Sequence, residues 1–377
     1  MPKMKNTDYD LTWAEIDLTA VRHNYRRLQR LARLQGAGLL PVIKADAYGH
    51  GMLPVAAALQ SLGAWFFGVS DTAEGIALRE SGFKNTILLL ESPLPSFAGD
   101  VIANNLTPTV CSWPLAVALN TCAGRLNRRL NIHVKIDTGM GRLGVWHEEA
   151  AALIRRIAEL PHLKIDGIFT HFPLADRDRK FTQAQIRNFS DLLDNLGTIR
   201  EGMSYVHAAN SMGLSGYNIP FLNLARPGLM LYGLYPTEAI KKKIRLKPAM
   251  SVKTRILYVK PLSKGRGVSY GHTFVARKNM TAATLAIGYS DGYFRCVSNK
   301  SSVLIRGQRC PVIGNVTMDQ IVVDVSKVRS VNVGDQAVVL GRDGGKEISA
   351  EELSRHAGTI NYEIVCNLGN RLPRVYK

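Results

Sequence analysis

A (β/α)8 TIM-like barrel followed by a mostly β C-terminal portion is the fold class this sequence predicts. Three observations predict it. Between about residues 13 and 240, short apolar runs alternate with longer stretches of helical spacing. Strands that alternate with helices form βαβ units and a parallel sheet. The runs number about eight, the count that closes such a sheet into a barrel. After about residue 245 the rhythm changes to short alternating apolar segments parted by Gly, Asn and Asp turns, the pattern of antiparallel β structure.

The apolar runs of the first portion fall at 39–43, 66–69, 86–90, 107–110, 132–136, 165–170, 205–208 and 222–225. Helical stretches separate most of them, at 53–62, 71–80, 114–123, 148–159 and 182–196. Asp71 stands where an N-cap is wanted. No GxGxxG follows the first strand, which weighs against a dinucleotide-binding sheet. In the second portion strands are expected at 252–259, 281–287, 302–305, 308–313, 320–325 and 336–340, with a short helix at 353–356. The basic, proline-bracketed segment 236–248 is the natural boundary. The expected division is a barrel over 13–240 and a β domain over 241–377, with residues 1–12 as candidates to join the latter.

Composition narrows the function classes. A chain of 377 residues exceeds one ordinary domain, and 46% apolar with 21% charged residues is the make-up of a soluble globular protein. A net charge of +18 favours acidic partners. The Lys and Arg residues are nevertheless spread along the chain, and the densest run, Lys241 to Lys247, has no interleaved aromatics. With no zinc-finger spacing and no aromatic RNA-binding signature, no nucleic-acid partner is expected. The five cysteines at 111, 122, 296, 310 and 366 include no CxxC pair, and their odd count suits reduced thiols rather than a disulfide framework. The first ten residues lack the apolar stretch of a signal peptide, and no run is long enough to span a membrane. A cytoplasmic protein with no membrane partner and no metal site is the expectation.

In a barrel of this class, functional groups gather at the C-terminal ends of the strands. Lys44 ends the first run, within Lys44-Ala45-Asp46-Ala47-Tyr48-Gly49-His50-Gly51. Lys135 and Arg142 flank another strand end, His171 follows a third, His207 and Ser211 lie at a fourth, and Arg226 ends the last, before Pro227-Gly228. Lys, Arg, His and Tyr converging on one mouth describe an anion-binding site that also moves protons. A desolvated lysine amine is nucleophilic, as Schiff-base chemistry requires. By position alone, Lys44 reads first as a lysine snorkelling at the barrel rim. Gly49 and Gly51 allow close backbone approach and Tyr48 offers a hydroxyl, as a phosphate neighbourhood would use.

Several motifs together resemble the alanine racemase family. They are the run from Lys44 to Gly51, Lys135-Ile136-Asp137-Thr138-Gly139-Met140-Gly141-Arg142-Leu143-Gly144, Arg226 to Gly233, Val268-Ser269-Tyr270-Gly271, Gly288-Tyr289-Ser290-Asp291-Gly292 and Met318-Asp319-Gln320. Asn361-Tyr362-Glu363 and the closing Arg371 to Tyr376 also match. The resemblance covers nearly the whole chain. It implies the same barrel and β domain, and an enzyme that uses pyridoxal 5′-phosphate to interconvert L- and D-alanine, supplying D-alanine for peptidoglycan.

The resemblance also distributes roles. Lys44 would carry the cofactor as a Schiff base and act as the base on the D-face. Tyr48, Ser211, Gly228, Leu229 and Tyr362 would hold the phosphate, with His207 counted among the cofactor-binding residues. Arg226 would face the pyridine nitrogen, and a permanent cation there disfavours ring protonation and favours proton return over transamination. Tyr270 would be the base on the L-face, since opposite faces of the α-carbon call for two bases. It would reach Lys44 of another copy, so that the implied assembly is a head-to-tail homodimer with shared active sites. His171 and Arg142 would support Tyr270. Lys135 matches a position that is often carbamylated, which would turn it into an anion beside Arg142. Arg142, Met318, Asp319 and Tyr289 would meet the amino-acid substrate. Racemisation of serine or another amino acid is the nearest alternative, because a small pocket discriminates weakly against one added hydroxyl. A pyridoxal-phosphate decarboxylase would want an acid where Arg226 stands, and a carrier protein on a lone barrel would lack the β domain.

Overall fold

The computed structural model describes residues 10–377. The chain forms two compact units. One comprises Arg22–Asp46 and Val55–Leu246; the other comprises, among the described residues, 10–21, Ala47–Pro54 and Lys247–Lys377.

The first unit is a closed parallel barrel. Strands Gly38–Leu39, Leu224–Ala225, Tyr205–His207, Leu163–Phe169, Leu130–Asp137 and Thr109–Val110 follow one another in a single sheet. Phe66–Val69 and Thr86–Leu89 form a parallel pair. Parallel bridges Val42↔Gly68 and Leu88↔Thr107 join that pair to the sheet on both sides and complete the ring of eight. Runs such as Ile132, Val134 and Ile136 are buried, as strands sandwiched between barrel core and outer helices must be. The helices alternate as expected, among them Met52–Gln60, Thr72–Glu80, Trp113–Arg125, His147–Ala158 and Arg179–Asn195. The Asp71 carboxylate accepts the Glu74 N–H and caps its helix.

The second unit is built on the strand Met250–Leu262, which pairs antiparallel with Thr12–Ile16, Met280–Leu285 and Gln336–Asp343. Here the structure departs from the expected boundary. Thr12–Ile16, expected as the start of the barrel, pairs antiparallel with Met250–Thr254 and lies in this sheet, flanked on its other edge by Arg374–Tyr376. Of the residues expected to join it, 1–9 lie outside the described residues. The helix Asn361–Arg371 was not anticipated from the sequence. The cysteines are free thiols. Among the described residues no helix is long and apolar enough to cross a membrane.

Candidate active site

The strand ends of the barrel carry the functional side chains. The Ile43 N–H donates to Gly68 O at 2.9 Å, and the Tyr232 hydroxyl donates to Val42 O at 3.0 Å, so the backbone entering Lys44 is fixed. Lys44 itself is half-buried. The next four residues, Ala45, Asp46, Ala47 and Tyr48, have φ of 51°, 51°, 55° and 55°. Each Cβ-bearing residue in that left-handed region costs about 1–2 kcal/mol, so the turn must be held by its surroundings. Part of the hold comes from Glu74, whose carboxylate accepts the Ala45 N–H at 2.6 Å and the Ser70 N–H at 2.7 Å. Burial pushes that carboxyl's pKa upward against the stabilising N–H groups of Ser70, Ala45 and Asp46.

Phe169 is the hub of the cation cluster. Arg226 lies over its ring with 5.0 Å to the centroid, Lys135 Nζ with 5.4 Å, and His207 stacks on it with 4.7 Å between centroids. Arg226 is only 3% exposed. Its guanidinium donates to His207 Nδ1 at 2.6 Å, Thr170 O at 2.8 Å and Ala208 O at 3.1 Å, and stands 3.3 Å from His171 Nδ1. Burial pulls Arg226 down to about 9, still charged at neutral pH. Lys135 falls to about 8, through burial first and then the neighbouring Arg226, Arg142 and Lys44. Burial and the same cations press His171 well below the ordinary imidazole value. His207 is lowered by burial, Arg226 and His133.

Two loops complete this end of the barrel. The Asp137 carboxylate accepts the N–H groups of Gly139, Met140 and Arg142 at 2.8, 2.8 and 3.2 Å, and thereby folds the loop that presents the exposed Arg142. The buried Ser211 hydroxyl accepts the N–H groups of Gly228 and Met230 at 3.2 and 3.3 Å, with Leu229 between them. Lys44, Lys135, Arg142, His171 and Arg226 therefore share one electrostatic neighbourhood, and Ser211 with Gly228 and Met230 forms a separate hydrogen-bonded group.

The second unit presents the remaining candidates. The rings of Tyr48 and Tyr362 stand 6.0 Å apart, and burial raises the Tyr48 hydroxyl's pKa. Gly49 is closely approached by backbone of the helix Asn361–Arg371, and Gly51 by the Tyr376 side chain, within the same unit. Tyr270 is 75% exposed. Ser269 before it has φ 61° and ψ −174°, and its hydroxyl donates to Asn315 O at 2.6 Å, while Asn315 Nδ2 donates to Tyr270 O at 2.8 Å. Three residues beyond Asn315 comes Met318, whose carbonyl accepts the Ser290 hydroxyl at 2.8 Å, and Asp319 accepts it at 3.0 Å. Tyr289 is anchored by its N–H to Thr317 O at 3.0 Å. Tyr270, Tyr289, Met318 and Asp319 are thus joined through the segment 315–319. Sequence reasoning missed Glu74, His133, Asp137, Ser269 and Asn315. A D-x-x-E pair at 71 and 74 was the one available signal, and it points to a helix cap instead.

A parallel barrel whose mouth gathers cations around a lysine, in one chain with a tyrosine-bearing β unit, is the layout of a barrel-plus-β enzyme. Comparison with known proteins supplies the family. Residues 16–236 match the model of the alanine racemase N-terminal domain, and residues 249–376 that of the C-terminal domain. A relative from Halothermothrix orenii named alanine racemase is 41% identical over 367 residues, covering 97% of each chain. Alanine racemase of Clostridium difficile 630 superposes with a TM-score of 0.91 at 36% identity, over 97% of this chain and 96% of that one. A structure of it in complex with cycloserine gives 0.88 at 36% identity, over 97% and 95%. The chain belongs to the alanine racemase family and is an isomerase.

Proposed function

We propose that this chain interconverts L- and D-alanine with pyridoxal 5′-phosphate, by two bases on opposite faces of the α-carbon. The observation that carries the reading is the cation-rich barrel mouth. After burial, Arg226 is the largest charge acting on both Lys135 and His171, and Arg142 and Lys44 also lower both, so the mouth is dominated by cations. Such a cluster is costly unless an anion joins it. A phosphorylated cofactor and an amino-acid carboxylate are anions of the right kind; the Gly228 N–H, here given to the Ser211 hydroxyl, and that hydroxyl itself would turn to a phosphate.

On this reading Lys44 Nζ engages the cofactor, and Ser211, Gly228, Leu229, Tyr48 and Tyr362 hold its phosphate. When bound, the cofactor supplies a carbonyl for amine capture and a ring that takes up negative charge as the α-proton leaves. Arg226, steadied by His207, keeps a permanent donor toward the ring nitrogen. Lys44 Nζ moves the proton on the D-face. Tyr270 of a second copy moves it on the L-face, aided by His171 and Arg142, and its 75% exposure on the β unit suits that reach. Arg142 and the Met318 N–H take the substrate carboxylate, with Tyr289 and Asp319 at the entrance. Carbamylation of Lys135, favoured by an amine lowered to about 8, would hold Arg142. The assembly is a homodimer with shared sites, working in the cytoplasm to supply D-alanine for peptidoglycan.

The direct test is chiral analysis of L-alanine, D-alanine and L-serine after incubation with purified protein and pyridoxal 5′-phosphate. Lys44→Ala is expected to lose the bound yellow cofactor and essentially all racemisation. A variant that stays yellow and active would overturn the assignment.

A further inference from the structure

We propose that Glu74 is a positioning residue for Lys44: its carboxylate locks the left-handed turn that leaves the lysine. The proposal rests on the reading of Lys44 as the cofactor lysine. It starts from a helix cap that does not form as its sequence suggests. Asp71 and Glu74 stand at N-cap and N3 of Thr72–Glu80, the spacing of a capping box, in which the N3 carboxylate returns to the N-cap N–H. Half of the pattern is present, because the Asp71 carboxylate accepts the Glu74 N–H at 3.0 Å. The Glu74 carboxylate is turned elsewhere. One oxygen takes the Ser70 N–H at 2.7 Å, and the other reaches 29 residues back to the Ala45 N–H at 2.6 Å. The Asp46 N–H also acts on this carboxylate.

The clamp falls at the point where the chain needs one. Ala45 and Asp46 both have φ 51°, a conformation that side chains with a Cβ avoid. Successive backbone N–H groups in such a turn point to one side and form a concave anion site. Here the anion is a side chain of the protein itself, and hydrogen bonds to a carboxylate are the stronger kind. The Ala45 N–H belongs to the peptide that follows Lys44. The strand side of the lysine is already fixed by Ile43 N–H to Gly68 O at 2.9 Å. Glu74 therefore fixes the second side, and the two together set the direction in which Lys44 leaves the backbone. Glutamine is the informative replacement. It matches glutamate in size but offers one acceptor, and its amide N–H₂ would face N–H donors.

Two measurements on Glu74→Gln test this. In cofactor-free protein, amide exchange at Ala45 and Asp46 is expected to quicken by about tenfold or more, with core strands such as Leu130–Asp137 unchanged. In the presence of pyridoxal 5′-phosphate, the rate at which borohydride fixes cofactor onto Lys44 is expected to fall by a similar factor, with kcat reduced more than KM is raised. If the glutamine variant does not fold, Glu74→Asp, which keeps the charge and shortens the reach, is held to the same readouts. Unchanged protection of Ala45 and Asp46, or trapping within about twofold of wild type, overturns the clamp. A wild-type protein that takes no cofactor on Lys44 would instead sink the functional reading, and the exchange measurement on cofactor-free protein would still decide the clamp.

Discussion

Arginine can only donate hydrogen bonds, and this has consequences two residues away from Arg226. His207 Nδ1 must accept from the guanidinium, so its Nε2 carries the proton and donates to His133 Nδ1 at 2.8 Å. His133 then carries its proton on Nε2, which has no partner among the described residues. A buried cation at one end thus fixes both tautomers and keeps both rings neutral. Burial and Arg226 hold His133 at about 3. His207 and His171 also lie well below the ordinary value near 6.5. Below pH ~6.5 the unfolded chain binds protons that these native imidazoles refuse, so stability is present above that pH and lost as it falls toward the folded values. Each such histidine therefore takes stability away as pH falls through that range. Glu74 and Asp291, both raised, act with the opposite sign in that range. Urea midpoints of the cofactor-free protein are therefore expected to be lower at pH 5 than at pH 7.5, and a rise would contradict neutral buried imidazoles. Lys44, His207 and Arg226 were legible in the sequence because they end apolar runs. Glu74 and His133 were not. One reads as a helix-surface carboxylate and the other as one polar residue within a strand, since their partners lie far off in sequence.

At the scale of elements, the site is aimed by short strained turns. Ser269 occupies φ 61°, ψ −174°, a region that glycine enters freely and other residues rarely do. Its hydroxyl bond to Asn315 O helps to hold it there. Comparing two substitutions that both lack this bond isolates the strain. Ser269→Gly is expected to be about 1–3 kcal/mol more stable than Ser269→Ala in urea unfolding, and equal stabilities would show an unstrained turn. Such turns leave little trace in a sequence, because nothing about serine announces positive φ. The barrel strands were more legible. Phe66-Phe67-Gly68-Val69 is a short unbroken apolar run of the kind a buried strand shows, while Ile132, Val134 and Ile136 alternate with His133 and Lys135. Their ends were less so: of the apolar run at 39–43 only Leu39 lies in regular strand, within Gly38–Leu39, because Pro41 has no N–H to give and Val42 pairs by a single bridge. The helix Asn361–Arg371 escaped because Gly369 and Asn367 make its sequence resemble a loop.

For the whole molecule, the two-part plan followed from the change of rhythm near residue 245, and the structure has the same two architectures. The place of Thr12–Ile16 in the β sheet was harder to read, because an apolar strand says nothing of which distant partner it will pair with. The proposed mechanism also reaches beyond one chain, since Lys44 and Tyr270 are assigned to one site but to different copies. Mixing two inactive variants tests that claim most directly. Lys44→Ala and Tyr270→Ala proteins, each inactive alone, are dissociated, combined in equal amounts and reassembled, and alanine racemisation is measured. Shared sites place an intact Lys44 and an intact Tyr270 together in one of the two sites of each mixed dimer. About a quarter of wild-type activity per site is then expected after random reassortment. A mixture that reassembles into mixed dimers yet stays inactive would contradict the account.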